Sequence, residues 1–221
     1  MQQLEPLHRD SVKARSYPGK TDVFAVGTDT TSTTLEWVVT EVLKHPQIMK
    51  KLQAEVRGIA QSRQLITEGD LDQMPYLKAV VKEALRLHPP LPLLVPREST
   101  KDVQVMVYDI ATGTCVFVNV WWIGRDPASW DEPEEFRLEK FFNSSVGFRG
   151  HDFELIPIGA GRRGGPGYQF SAAIDELALA NLVHKFDLAL PDGVDLDVSE
   201  VSGLTIHRKF PLLVVATPYS C

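Results

Sequence analysis

With 221 residues, the chain is long enough for one large domain or two small ones, and a hydrophobic share of 43% permits a real core. A net charge of −6 with no basic stripe argues against nucleic acid as a partner. Two cysteines, Cys115 and Cys221, make no disulfide framework, and no apolar run approaches the roughly 18 residues of a membrane span, so the chain as written is expected to be soluble and cytosolic.

Residues 1–21 are charged, lack a signal-peptide core and are broken by Tyr17-Pro18-Gly19, which predicts an irregular lead-in. Asp22 is placed to cap a helix running to Lys44. In it Leu35, Val38, Val39 and Val42 recur at the spacing of a buried face. Ahead of them, Gly27-Thr28-Asp29-Thr30-Thr31-Ser32-Thr33-Thr34 is unusual for a helix interior. Threonine is stiff at χ1, and its hydroxyl competes for backbone carbonyls. The run reads as a poor or kinked turn, or as a helix opened to present Asp29 and Thr30 to a pocket, where an acid beside a hydroxyl relays protons. His45-Pro46 ends this helix and starts a second, with Ile48, Leu52, Val56 and Ile59 as its stripe. Thr67-x-x-Asp70 has the form of a capping box. A further helix spans Pro75 to His88, with Leu77, Val80, Val81 and Ala84 inward. Glu83 and Arg86 lie three apart on its other flank and read, by themselves, as an exposed pair worth about 0.2–0.5 kcal/mol.

Prolines 89, 90, 92 and 96 exclude helix and predict an extended segment. Alternating Val103, Val105 and Val107, the turn Ala111-Thr112-Gly113 and an apolar return from Cys115 to Val120 predict a hairpin over 103–120, with Cys115 as a small packing residue. Trp121 to Pro127 reads as a short helix or turn, and 127–150 as a long meander with little regular structure, of the kind that carries function or wraps something large. Residues 168–186 are apolar nearly all round, which predicts a buried helix. Leu204 to His207 and Leu212 to Ala216, joined by Lys209-Phe210-Pro211, predict a second hairpin. Helices and strands do not alternate, which argues against a doubly wound sheet and for a mainly helical chain with small hairpins.

The chemistry centres on Pro157-Ile158-Gly159-Ala160-Gly161-Arg162-Arg163-Gly164-Gly165-Pro166-Gly167, a loop built for something to lie against it. Gly159 to Gly164 spells G-x-G-x-x-G. A dinucleotide site needs that motif between a strand and a helix, with an acid about 20 residues on at the end of a second strand. Here Pro157 interrupts the would-be strand, Pro166 follows the motif, and Asp175 and Glu176 fall inside the next helix. The loop also lacks the Lys-Ser/Thr ending of a P-loop.

Taken jointly, Gly27-Thr28-Asp29-Thr30-Thr31, Glu83-Ala84-Leu85-Arg86, Phe136-Arg137-Leu138-Glu139-Lys140-Phe141 and residues 157–167 resemble, in order, the oxygen-activation motif, E-x-x-R motif, P-E-R-F segment and haem-binding loop of the cytochromes P-450. The resemblance is to the C-terminal half of these haem-thiolate monooxygenases, in the plant A-type group. It implies a mainly α fold with small β hairpins, the C-terminal part of the cytochrome P-450 fold, with residues 22–221 as a partial domain. It implies haem as cofactor, a small organic substrate and an NADPH-dependent reductase as partners, and a home at the cytosolic face of the endoplasmic reticulum membrane, for which this chain carries no anchor. By the same resemblance Asp29 and Thr30 deliver protons to iron-bound oxygen. Arg97 and Arg163 hold haem propionates, and Gly161, Gly165 and Gly167 shape the haem loop. Glu83 and Arg86 form a buried network with the meander, and Phe170 packs below the haem.

The chain also departs from the family. Where the family has its iron-ligating cysteine, this chain has Gly165; Ile158 replaces the loop phenylalanine, and Val26 a small residue of the central helix. Thiolate pushes electron density onto iron and favours O–O cleavage, and glycine has no side chain with which to ligate. No metal ligand is therefore expected at 165. Oxygen insertion is expected to be absent or severely impaired, the more so because the family's N-terminal half has no counterpart here. The alternative is a non-catalytic fragment or pseudogene product acting, if at all, as a binding module.

Overall fold

A computed structural model describes residues 20–142, 144–148, 150–201, 203 and 205–219, with side chains at all of these except 20–26 and 163. The expected lead-in up to residue 19, Leu204 of the predicted second hairpin, and Cys221 lie outside the described residues.

Four long helices make the core: α1 (Lys20–Lys44), α2 (Pro46–Ala60), α3 (Pro75–Leu87) and, after a long irregular stretch, α5 (Tyr168–Lys185); the short α4 (Val120–Ile123) lies between. Helix α5 packs against each of the other three long helices. Where they meet, Val38 and Val42 of α1, Leu52 and Val56 of α2, Leu77, Val80 and Val81 of α3, and Leu179 and Val183 of α5 are wholly buried. Each such side chain contributes roughly 1.5–3 kcal/mol over leaving it in water. The periodic stripes thus find one another, with Met49 and Ala60 of α2 buried where Ile48 and Ile59 are only partly so.

Helix α1 already includes Lys20 and Thr21, so Asp22 lies inside the helix instead of capping it. The threonine-rich run does not interrupt it. The hydroxyls turn back on the helix: Thr34 Oγ1 donates to the Thr30 carbonyl (2.9 Å), Ser32 Oγ to that of Asp29 (3.0 Å), and Thr40 Oγ1 to that of Glu36 (2.7 Å). The tendency of these hydroxyls to compete for carbonyls is satisfied without opening the backbone. The Thr67–Asp70 capping box forms as predicted, on a short 3-10 helix over Glu68–Gln73.

Both predicted hairpins pair differently. Strand β2 (Val103–Val105) turns at Met106, with φ +54°, and pairs with β3 (Tyr108–Ile110). The return strand β4 (Cys115–Val116) pairs instead with β1 (Arg97–Glu98). The Ala111–Thr114 turn exists, but it directs the chain to β1, with Ser99 N–H bonded to the Thr114 carbonyl and Gly113 N–H to that of Ser99. Cys115 is therefore exposed and does not pack. The proline-rich stretch before β1 is not extended but turned, Leu94 having φ +52° and bonding through its N–H to the Leu91 carbonyl. At the C-terminus β7 (His207–Arg208) pairs with β6 (Glu200–Val201), and β8 (Val215–Pro218) pairs with β5 (Phe186–Ala189). All four pairs described are antiparallel and two-stranded, so the architecture is mainly α with small β pairs.

Helix α5 ends at Lys185, one residue before Phe186, which opens β5. Arg57 fixes that switch: its Nε donates to the Val183 carbonyl, its Nη2 to the Phe186 carbonyl and the Asp187 carboxylate, and its guanidinium lies over the Tyr219 ring. The terminal carbonyls of the helix are satisfied by a side chain from a neighbouring helix. The helix also buries polar groups beside Leu179, Ala180 and Val183. Phe170 is 73% exposed, whereas Asp175, Glu176 and His184 are buried. Asp175 Oδ1 has no hydrogen-bond partner among the described residues. Burial first, and then the adjacent Glu176 charge, push the Asp175 carboxyl up to about 8.

That position makes stability pH-dependent. Between about pH 4 and 8 the folded chain holds a proton on Asp175 that the unfolded chain has released, so stability falls as pH rises through that window, by at most about 1.4 kcal/mol per unit. Asp175→Asn is expected to raise the unfolding free energy at pH 7.5 and to flatten its decline from pH 5, measured by urea denaturation at each pH.

Candidate functional site

The glycine loop is anchored by Leu155 and Ile156, both buried. Ile156 joins Leu94 and Val120 in a small second cluster, with Leu91, Val118, Ile123 and Ala160 packed on it. What precedes the loop is a turn, not a strand, with Gly159 N–H bonded to the Ile156 carbonyl at 2.9 Å, so the dinucleotide context is absent in three dimensions too. Gly159 has φ +81°, and a Cβ there would stand 3.5 Å from Leu94 Cδ1 and 3.7 Å from Arg97 Nη2. The positive φ calls for glycine there, and the Arg97 guanidinium of β1 lies beside it, which places one of the predicted residues at the loop. Gly161 (φ +66°) opens a short 3-10 turn, Gly161–Arg163, closed by Gly164 N–H on the Gly161 carbonyl at 3.0 Å. The Arg163 side chain lies outside the described residues. Gly167 immediately precedes α5 and is exposed.

Gly165 sits where the loop doubles back. Its N–H donates to the Ile158 carbonyl at 2.9 Å. A Cβ built on it would fall 2.5 Å from Ile158 Cγ2 and 3.3 Å from Ile158 O. The loop is thus closed on itself at the position where the sequence reading expected glycine in place of a ligand. Among the described residues, no three histidine, cysteine, aspartate or glutamate side chains are grouped to hold a metal ion.

Glu83 and Arg86 are not an exposed pair. Both side chains are fully buried and bonded through two contacts, Arg86 Nε to Glu83 Oε2 (2.7 Å) and Nη2 to Oε1 (2.8 Å). The other guanidinium hydrogens reach backbone carbonyls: Nη1 to Gly124 and Pro133, and Nη2 to Glu135. Glu83 Oε1 also accepts the Arg137 N–H at 2.8 Å, and Lys140 Nζ stands 3.5 Å away. The helix spacing that suggested a solvated flank instead aims both groups at the meander. The i, i+3 spacing of the two residues carries no signal of that by itself, because their backbone partners are 38 to 54 residues distant.

Asp29 and Thr30 lie on α1, half-buried, and the Asp29 carboxylate is engaged by the C-terminal segment. Thr205 Oγ1 donates to Asp29 Oδ2 at 2.8 Å and lies 2.6 Å from His207 Nε2; His207 Nδ1 is 3.0 Å from Thr33 Oγ1. With the Thr205 O–H given to Asp29, Thr205 Oγ1 is free to accept from His207 Nε2–H, which in a neutral imidazole leaves Nδ1 to accept from Thr33. Thr33, Thr205 and His207 were not legible as partners of Asp29, since 176 residues separate Thr205 from it and no motif marks them. A cleft of about 490 Å³ opens elsewhere, lined by Glu41, His45, His88, Arg125, Glu134 and Phe136 among others, and none of the sequence-predicted site residues lines it.

The chain matches the sequence profile of Cytochrome P450 over residues 19–214. It is 62% identical over 203 residues to cytochrome P450 71A6 of Nepeta racemosa, covering 90% of this chain and 40% of that protein. It is 54% identical over 217 residues to a 3-beta-hydroxylase of Tanacetum parthenium, covering 96% and 43%. Among solved structures it superposes on a zebra fish cytochrome P450 with abiraterone at a TM-score of 0.82 and 30% identity, over 90% of this chain and 46% of that one. The chain therefore spans about two-fifths of the length of the relatives it matches.

Substitutions in each network test it. Glu83→Ala leaves the Arg86 charge buried without its counter-ion and is expected to cost about 3–5 kcal/mol, read by chemical denaturation, whereas an exposed pair would cost only tenths. Asp29→Ala and Thr205→Ala are expected to be non-additive in a double-mutant cycle, with a coupling of about 0.5–1.5 kcal/mol.

Proposed function

The chain belongs to the cytochrome P450 family, and from that premise we propose that it is the C-terminal part of a haem-dependent monooxygenase domain whose loop has lost the ability to ligate iron. Family membership implies haem, and haem supplies oxygen activation when it is bound and ligated. The observation that carries the reading is Gly165. The residue at the expected axial position offers only backbone, that backbone N–H is committed to Ile158, and the isoleucine methyl stands where a side chain would project. The residues present do not fit a thiolate-ligated haem, and no catalytic step is assigned through one. The Arg97 guanidinium at Gly159, the closed glycine turn and the buried Glu83–Arg86 pair are the scaffold of the site without its ligand.

Asp29 and Thr30 occupy the proposed proton-delivery positions on α1. In this chain the Asp29 carboxylate is spent on holding Thr205 and His207, so we assign it a structural role. A small organic substrate, an electron-donating reductase and association with the endoplasmic reticulum membrane follow the family and are part of the same proposal. No described helix is long and apolar enough to cross a membrane. A second reading, a non-catalytic binding module, is favoured by one observation. The β2–β3 hairpin carries Val103, Val105 and Tyr108 on one face and Met106 and Val107 at its tip, all exposed.

A hemin titration of the purified chain, followed by reduction under carbon monoxide, tests the main reading. The expected result is the absence of a thiolate-type ferrous–CO band. A band of that type, at stoichiometric hemin, overturns the proposal.

A further inference from the structure

The space beside Gly165 is occupied in a way that the loss of a ligand does not by itself require. A Cβ at 165 would stand 2.5 Å from Ile158 Cγ2, a separation that real Cβ atoms essentially never show. The clashing atom is not the loose end of a long chain. It is a branch on Cβ of a β-branched residue, whose χ1 is restricted. Retreat of the backbone is opposed as well. The Ile158 carbonyl lies 3.3 Å from the same point and accepts the Gly165 N–H at 2.9 Å, so moving one strand of the loop from the other breaks the bond that closes it. Other loop glycines differ. At Gly161 and Gly167 a Cβ would meet nothing within 4 Å.

We propose that Ile158 and Gly165 are a sterically coupled pair, in which the isoleucine branch fills the volume that any side chain at 165 needs, so that no ligand-bearing residue is accommodated at 165 until the branch at 158 is removed. The departure at 158 and the departure at 165 are then one packing solution, and the loop is locked in a ligand-free form. The inference deepens the reading of residues 157–167 as the family's loop and rests on it for its meaning, but its test uses no haem. Failure of the coupling and failure of the family reading therefore give different results.

The test places Gly165→Ala in three backgrounds of the full chain: Ile158, Ile158→Val, which keeps the branch on Cβ, and Ile158→Leu, which moves it out to Cγ at equal volume. The thermal midpoint is expected to fall by about 3–10 °C in the first two backgrounds and by less than half as much in the third. Hydrogen exchange of the peptide containing residue 165 is expected to accelerate with Gly165→Ala in the Ile and Val backgrounds and to stay unchanged in the Leu background. A failure to fold that Ile158→Leu rescues supports the coupling. Equal losses in all three backgrounds, no loss in any, or a failure to fold in all three overturns it.

Discussion

Arg86 is the side chain on which the rest of the structure leans. A guanidinium has five N–H donors in a fixed fork, and here every donor direction is used: two on Glu83, three on the carbonyls of Gly124, Pro133 and Glu135. The ion pair is not in itself a strong source of stability, because removing two charges from water costs about what their attraction returns. Its contribution lies in what it closes. The described residues of 127–150 make little regular structure beyond a 3-10 helix at Leu138–Phe141, so most of their backbone polar groups lack a helix or sheet ladder. Three of those carbonyls, counting the Gly124 turn, and the Arg137 N–H find their partners on α3. The meander is held as a third-party customer of a helix. Even Gly124 fits this logic: a Cβ there would run into the Arg86 carbonyl, so the turn and the helix are pressed backbone to backbone.

The C-terminal segment is tied to the same body by a different device. It runs along α1 and is stitched to it by polar contacts: Trp37 Nε1 to the Ile206 carbonyl, Thr33 to His207, Thr205 to Asp29, and Arg208 to Thr40. Trp37 in turn stacks on His88 at the end of α3, 4.0 Å apart and parallel within 1°. The threonine-rich face of α1 that reads as a weak helix is therefore a docking face. Its hydroxyls serve the helix's own carbonyls at 34 and 40, and Thr40 and Thr33 also meet side chains from β7. Asp29 is drawn into that seam.

Helix periodicity was legible because it is local: the stripes of α2 and α3 and the Thr67 capping box depend on residues a few positions apart. Strand pairing was not, because on paper the return strand from Cys115 pairs with Val103–Val107 as easily as with Arg97–Glu98, and the choice is made by the positive φ at Met106 and by the Ser99–Thr114 bonds. Likewise, nothing local says that Phe170 is exposed while Asp175 is buried; that follows from where α1, α2 and α3 stand around α5. Of the site, the loop and the E-x-x-R pair were readable as motifs. The burial of the pair was legible only through the family resemblance and not through helix spacing, and the partners of Asp29 were not legible at all, since each is made by residues dozens to well over a hundred positions away.

The loop itself separates two properties that a motif fuses. Its shape depends on backbone: positive φ at Gly159 and Gly161, the Gly165 N–H on Ile158, and a hydrophobic footing of Ile156, Leu94 and Val120. Its chemistry would depend on one side chain at 165. Backbone hydrogen bonds and apolar burial do not need a side chain at 165, so the loop keeps its shape around the glycine there. A glycine there makes the loop easier to close, since it lets the Ile158 branch settle into the gap. The backbone of the motif thus holds independently of any side chain at 165, which is why recognising the loop in the sequence establishes a fold and leaves its chemistry to the residue at 165.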